Sequence, residues 1–382
     1  MVGSIENTCD NHPSASQHES EETPQTPRSY NLSVVIPVFN GGEAFRECVE
    51  RLNSTYPRPY EVIVVVDGVS DDSWQVAKDG GMKVIQLPVQ RGPAVARNVG
   101  AKYASGDIIV FIDADVGIEP DFFAQIQAQF QASPTMTALI GSYDDKPGKG
   151  NFLSQYRNLF HHYVHQSSKE NTFTFWGACS AIFRDAFLSV DGFDETYFKP
   201  CIEDIELGYR LKKKGYSIRL CKEIQVKHLK HWGMTSMLKT DFFQRALPWT
   251  QLLMQEGQIS NDLNLSLSSR LSVVCLYGGL ASLVLVAWNP LWFGLSLFCA
   301  TMLILLNLSV YRFFRLKRGT WFTLKVVPVH WLYYGYSGLA FCIGLLDHWL
   351  STYLKVTGLQ PPLRSSSQPE TEASSTYKIH QS

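Results

Sequence analysis

The chain has 382 residues, and 34 Lys and Arg stand against 35 Asp and Glu, a formal net charge of −1. No strong overall field results, which excludes nucleic acid as the expected partner. The length suits one large domain or two ordinary ones. Cys9, Cys48, Cys179, Cys201, Cys221, Cys275, Cys299 and Cys342 form no CxxC pair and no Cys/His zinc spacing, so a reducing compartment is the simplest reading.

Residues 1–29 are polar, lack an apolar core and so cannot be a signal peptide; they read as a disordered tail. The body, residues 30–232, starts with Leu32 to Val38, an apolar β-branched run predicted as a buried strand and broken by Asn40-Gly41-Gly42. Phe45, Val49 and Leu52 are spaced for a helix over 43–52. Glu61 to Asp67 is the second strand, with a helix from about Asp71, and Lys83 to Leu87 is the third. Gly92-Pro93 opens a helix through Tyr103, with Pro in the first turn where its missing N–H costs little. Asp107 to Asp113 is the fourth strand. Alternation at this spacing predicts βαβ units and a mostly parallel, Rossmann-like sheet with flanking helices.

Farther on, Trp176 to Phe183 reads as a strand pair or a strand bent at Gly177, and Glu203 to Lys214 as a helix stopped by Gly215. Ser217 to Leu220 and Ile224 to His228 read as short strands. Residues 233–268 form an amphipathic segment, one or two helices interrupted at Pro248, that lies beside a membrane or packs on the body. Residues 269–350 are predicted to hold two to three membrane spans. Two are the apolar runs Leu271–Trp288 and Leu291–Tyr311, joined by Asn289-Pro290. Arg270 before them and Arg312, Arg315, Lys317 and Arg318 after them put those flanks, and the body, in the cytosol. The third stretch, Val326 to Leu346, spans or lies in plane; if it spans, the flexible tail of residues 351–382 lies on the far side.

In an open parallel sheet, ligands collect beyond the C-terminal ends of the strands. Asp67 ends one strand, and Asp113-Ala114-Asp115 ends another. Each Asp alone could merely cap a turn; together they should share one cleft. Two carboxylates as close as Asp113 and Asp115 repel unless a cation intervenes, and such oxygen ligands suit Mg2+ or Mn2+. Glu203 and Asp204 open a helix, where the dipole favours them; one of them facing the cleft could act as a general base.

Taken in order, Val35-Ile-Pro-Val-Phe-Asn40, Val65-Val-Asp-Gly-Val-Ser-Asp-Asp-Ser73, Gly92-Pro-Ala-Val-Ala-Arg-Asn-Val-Gly100, the DxD of Asp113–Asp115, and Glu203-Asp204 make the stretch from Leu32 to about His231 resemble family 2 of the glycosyltransferases. The resemblance implies a GT-A α/β fold followed by C-terminal transmembrane helices. It implies that Pro37, Asn40 and Asp67 lie around the nucleotide, with Arg97 and Asp113 near a UDP- or GDP-sugar donor. Asp115, Asp113 and His228 would hold Mg2+ or Mn2+, His231 being a rival to His228. Asp204 would be the base, supported by Glu203, and Trp176-Gly177 would shape the acceptor site. The implied reaction is an inverting sugar transfer to a hydroxyl of a lipid, lipid-linked carrier or other glycan acceptor near the membrane. A processive polysaccharide synthase is the alternative, but Gln244-Arg-Ala-Leu-Pro-Trp249 lacks the Gln-x-x-Arg-Trp pattern of such enzymes. A nucleotidyltransferase would need a basic Gly-rich loop that Asn40-Gly-Gly-Glu43 does not provide. A non-catalytic scaffold would not need the complete set of acids.

Overall fold

The computed structural model describes residues 29–68, 71–256, 266–356 and 377–380. The predicted N-terminal tail, Val69-Ser70 of the second motif, and residues 357–376 of the predicted C-terminal tail lie outside them.

The body begins β1 (Leu32–Val38), α1 (Gly42–Asn53), β2 (Glu61–Asp67), α2 (Ser73–Asp79), β3 (Lys83–Leu87), α3 (Pro93–Tyr103) and β4 (Ile108–Ile112). These strands are continuous apolar runs because both faces of the sheet are covered by helices. They pair in parallel, β1 with β2 and β4, and β2 with β3. The order β3-β2-β1-β4 reverses direction at β1, so a crevice opens at the C-terminal ends of β1 and β4.

The chain continues through β5 (Val116–Gly117), α4 (Phe122–Ala132), β6 (Ala138–Tyr143), α5 (Phe152–Ser167), β7 (Cys179–Phe183), α6 (Arg184–Ser189), α7 (Glu203–Lys213) and β8 (Ile218–His228). Here the sheet becomes mixed: β7 is antiparallel to both β4 and β6, whereas β8 is parallel to β6. The predicted parallel character therefore holds for the first half and the β6–β8 pair. Trp176 to Ala178 form the turn into a single strand, β7, rather than a strand pair. The two short strands predicted over 217–228 are one long β8, whose register shift against β6 takes up the irregularity between them.

The segment after the body is continuous: α8 (Met234–Lys239), a π-helix (Thr240–Ala246) and α9 (Leu247–Glu256). Pro248 lies in the first turn of α9, just past the wider π-turns, and does not interrupt a helix there as predicted. Then come α10 (Leu267–Leu285), α11 (Trp292–Leu306), α12 (Leu308–Val356, broken at Gly319) and β9 (Lys378–His380).

Among the described residues only α10 is by itself long and apolar enough to cross a membrane; α11 and 308–351 pass that test as a pair bent by 59°. The predicted second run, Leu291–Tyr311, is thus broken at Asn307. Its side chain donates to Ser272 of α10 and accepts from Tyr334 of α12, which fixes the bend.

Before its break, α12 runs back along α5: Ser309 receives the Tyr163 hydroxyl, and Arg318 donates to Gln155. Lys317 pairs with Asp145, so the basic cluster meets the body. After the break α12 buries Val326 against Tyr156, Phe160 and Phe314, and Gly344 lies against Thr250 of α9. The third apolar stretch therefore starts against α5 of the body and continues along α10 and α9. β9 pairs antiparallel with the edge strand β3, and His380 stacks on Trp74. The described residues at the end of the predicted flexible tail, Lys378–His380, are thus a strand on the edge of the body's sheet.

Candidate active site

Pro37 lies near the end of β1, in register with Val65 of β2, and Asn40 follows in the left-handed region at φ 50°. Asp67 ends β2 and gives both oxygens to backbone N–H groups, those of Arg91 (2.6 Å) and Gly92 (2.9 Å). Burial raises its pKa despite these bonds. Its visible role is to hold the loop into α3. Gly92 serves that loop because its φ is 91° and a Cβ there would meet the Phe198 carbonyl at 2.2 Å.

Arg97, predicted near the donor, is buried at the centre. It donates to Asp113 Oδ1 at 2.7 Å and to Glu203 Oε1 at 2.9 Å, and its guanidinium lies 5.3 Å from the Phe193 ring centre. One cation therefore binds the end of β4 to the start of α7. Gly177 gives it room, since a Cβ at that position would come within 2.9 Å of the guanidinium.

Glu203 accepts from the Cys201 N–H as well, so it is fully engaged. Asp204 faces the other way. Its oxygens accept from the N–H of Gly177 (3.0 Å) and of Ile205 (2.8 Å). Burial, then the Glu203 charge, raises its pKa from 3.8 to about 6. Such a carboxylate is ionised at neutral pH yet basic enough to take a proton.

Asp115 lies opposite. Its Oδ2 is 3.6 Å from His228 Nε2, while His228 Nδ1 donates to Asn158 Oδ1 at 2.7 Å. Burial acts to raise the Asp115 pKa, but His228 and Lys230 outweigh it and the net shift is downward. With Nδ1 committed to Asn158, Nε2 is turned toward the Asp115 carboxylate, so one nitrogen and one oxygen donor face the same space, a pairing that would suit a cation if the imidazole is neutral. His231, the rival, is exposed. Asp113 is turned to Arg97, so the predicted trio is not preassembled. Among the described residues no group of three His, Cys, Asp or Glu converges to hold an ion.

Trp176 stands over this side in edge contact with Tyr143 (4.7 Å) and His165 (4.9 Å). Tyr143 stacks on His228 at 4.4 Å. The structure thus brings Arg97, Asp113, Gly177, Glu203 and Asp204 together, with Asp115, His228 and Trp176 beside them. Pro37, Asn40 and Asp67 occupy the adjoining strand ends.

Sequence reasoning missed Tyr143, which stacks on His228, and Asn158, which orients it. They come from β6 and α5, where Tyr156, Leu159, Phe160 and Val164 at helical spacing were the available signal.

Residues 33–190 match the family model described as glycosyl transferase family 2, and residues 158–232 match that described as N-terminal domain of galactosyltransferase. Glycosyltransferase GlyG of Streptococcus pneumoniae is 28% identical over 126 residues, 32% of this chain and 42% of the relative. The pre-mycofactocin glycosyltransferase of Mycobacterium tuberculosis is 28% identical over 207 residues, 51% of this chain and 42% of the relative. The dolichol-phosphate mannosyltransferase of Pyrococcus furiosus is 32% identical over 133 residues, 34% of this chain and 37% of the relative. The chain thus spans less than half the length of each. Mannosyltransferase PcManGT from Pyrobaculum calidifontis, solved with GDP-Man and Mn2+, shares the fold with a TM-score of 0.51 and 16% identity, covering 84% of this chain and 88% of that one.

Proposed function

We propose that this chain, which carries a glycosyltransferase family 2 domain of GT-A fold, moves a sugar from a UDP- or GDP-sugar to a hydroxyl of a membrane-associated acceptor. The observation that carries the reading is the joining of Asp113 and Glu203 by the buried Arg97, with Asp204 beside them, at the switch point of the sheet. Asp204 is left free of the arginine and has a pKa of about 6. It takes the acceptor proton as the acceptor oxygen bonds to the anomeric carbon and the bond to the nucleoside diphosphate breaks. Attack from the opposite face inverts the configuration. Arg97 holds Glu203 in place through an ion pair, which leaves Asp204 as the acid turned toward Gly177. Trp176 offers an aromatic face to the acceptor side.

Asp115 and His228 would hold a divalent cation, Mg2+ or Mn2+, beside the end of β4. Bound there, it would neutralise charge on the departing diphosphate. Exposed Leu280, Leu283, Val284, Trp288, Phe293 and Phe298 on and beside α10 and α11 support membrane insertion of that hairpin, with α12 in the interface. The basic residues bound to the body support a cytosolic catalytic face.

The test is release of nucleoside diphosphate by the detergent-purified full chain across a donor panel, with membrane lipid extract present. Metal-dependent release from one donor, lost in Asp115→Ala and Asp204→Asn, is the expected result. Turnover undiminished in Asp204→Asn would remove the assigned base, and tight donor binding without turnover would indicate a scaffold.

A further inference from the structure

Without β9, β3 would be an open edge of the sheet, and a bare apolar edge is a template for any passing strand. Three residues near the end of the chain cover it: Lys378 stands opposite Gln86, Ile379 opposite Ile85 and His380 opposite Val84. Val84 and Ile85 are fully buried, but Lys378 and Ile379 are exposed, so β9 adds almost no core of its own. Tyr377, just before it, packs against the main core. A strand held by three pairs and two flanking rings belongs to the parts of a fold that open most easily.

Its contacts lead to the nucleotide side of the cleft by two routes. The His380 ring stacks on the Trp74 indole, with ring centres 5.7 Å apart. Trp74 is the second residue of α2, and Ser73 before it accepts the Gly41 N–H at 3.1 Å and donates to Asp71 at 2.9 Å. Gly41 follows Asn40, whose left-handed backbone turns the chain out of β1. The second route runs through the sheet. Lys378 pairs with Gln86, and the next residue, Leu87, pairs with Asp67, which holds the loop into α3. Both routes end at the turn and the strand end expected around the nucleotide, Asn40 and Asp67.

We infer that Tyr377 to His380 form a detachable strap that holds the nucleotide side of the cleft in its donor-binding form. The inference rests on the glycosyltransferase reading and adds positioning residues to its donor site, remote from the reacting atoms. With the strap on, α2 is fixed at Trp74, and Ser73 holds the Asn40-Gly41 turn. With it off, both gain freedom that a bound nucleotide has to remove, so the donor binds less tightly while the acids of the cleft are untouched.

The experiment compares the full-length detergent-purified protein with Lys378→Pro/Ile379→Pro, His380→Ala and His380→Phe. Neighbouring N–H groups of a strand point to opposite edges, so the two prolines remove whichever one β3 receives. Nucleoside diphosphate release against donor concentration gives the donor KM and kcat, and calorimetry with UDP and GDP gives affinity without turnover. The double-proline variant should raise the donor KM and the nucleotide Kd about fivefold, with kcat within about twofold of the parent. His380→Ala should raise them less, and His380→Phe, which keeps a flat ring on Trp74, should restore them. The synthetic peptide Tyr377-Lys-Ile-His-Gln-Ser382, added at millimolar concentration, should bring the double-proline variant back towards the parent KM, a rescue that a general loss of folding does not allow. An unchanged KM and Kd in the double-proline variant would overturn the inference, as would a fall in kcat alone or a defect that the peptide leaves in place. A parent whose nucleotide Kd follows the strap but which turns over no donor would keep the strap and remove the glycosyltransferase reading. A parent that binds neither nucleotide would remove both.

Discussion

Arg97 and Arg157 are both buried and both paired, but they hold different things. Arg97 on α3 joins Asp113 after β4 to Glu203 of α7, so it closes the cleft from within the sheet-based body. Arg157 on α5 pairs with Asp241 of the π-helix, and Tyr336 of α12 donates to the same carboxylate. It therefore fastens the later helices to the body. In the first node the sheet already fixes the partners' positions, and the charge tunes chemistry. In the second no strand ladder aligns the helices, so the charge and the aromatic packing around it set their placement.

The largest effect that would test this contrast is loss of Arg97. Arg97→Met leaves Asp113 and Glu203 uncompensated, which should cost about 3–5 kcal/mol of stability and abolish transfer. Thermal unfolding and donor turnover measure the two parts. A stable Arg97→Met that merely turns over slowly would show that the sheet alone holds the cleft. Arg157→Met should cost stability on the same scale, about 3 kcal/mol, because Asp241 is left buried. Here the double variant Arg157→Met/Asp241→Leu should recover most of the loss, since both charges are gone. If it does not, the pair specifies helix placement, and limited proteolysis should then cut between the body and α12.

The same contrast explains what was legible. The strands of the first half were readable because each is an unbroken β-branched run ending in a turn, and the DxD follows one of them. Glu203-Asp204 was readable as a helix start, but not that one acid faces Arg97 and the other Gly177, since that depends on the turn before β7. Asp67 reads as a nucleotide contact from its motif, whereas in the fold its oxygens are used by the Arg91 and Gly92 N–H groups. The path of α11 and α12 was not legible. Asn307 inside an apolar run looks tolerable in a span, and only its partners Ser272 and Tyr334, distant in sequence, make it a bend.

A smaller effect separates the two acids of the first node. Asp204 has its pKa raised to about 6, so transfer should rise with pH through about 6 as the base ionises. For stability the sign is opposite. Between 3.8 and about 6 the folded carboxyl holds a proton that the unfolded one has lost, so stability falls as pH rises through that window. Asp204→Asn should then be inactive but more stable than the parent at pH 7.5, by at most about 3 kcal/mol. An unchanged unfolding temperature would mean the charge is already offset in the fold.

The smallest effect belongs to Tyr336. Its hydroxyl donates to Asp241, and a hydrogen bond to a charged acceptor is worth about 1.5–3 kcal/mol. Tyr336→Phe keeps the ring against Tyr333 and removes only that bond, so it should cost about 1–2 kcal/mol while Arg157 still neutralises the carboxylate. In the Arg157→Met background, Asp241 loses its cation and Tyr336 is its remaining donor, so the same substitution should cost more. Non-additivity of that sign in thermal unfolding would show that the second node is one coupled unit spanning α5, the π-helix and α12. Simple additivity would mean that α12 is held by the apolar contacts of Val326, Phe160 and Phe314 alone, with the ion pair serving only the π-helix.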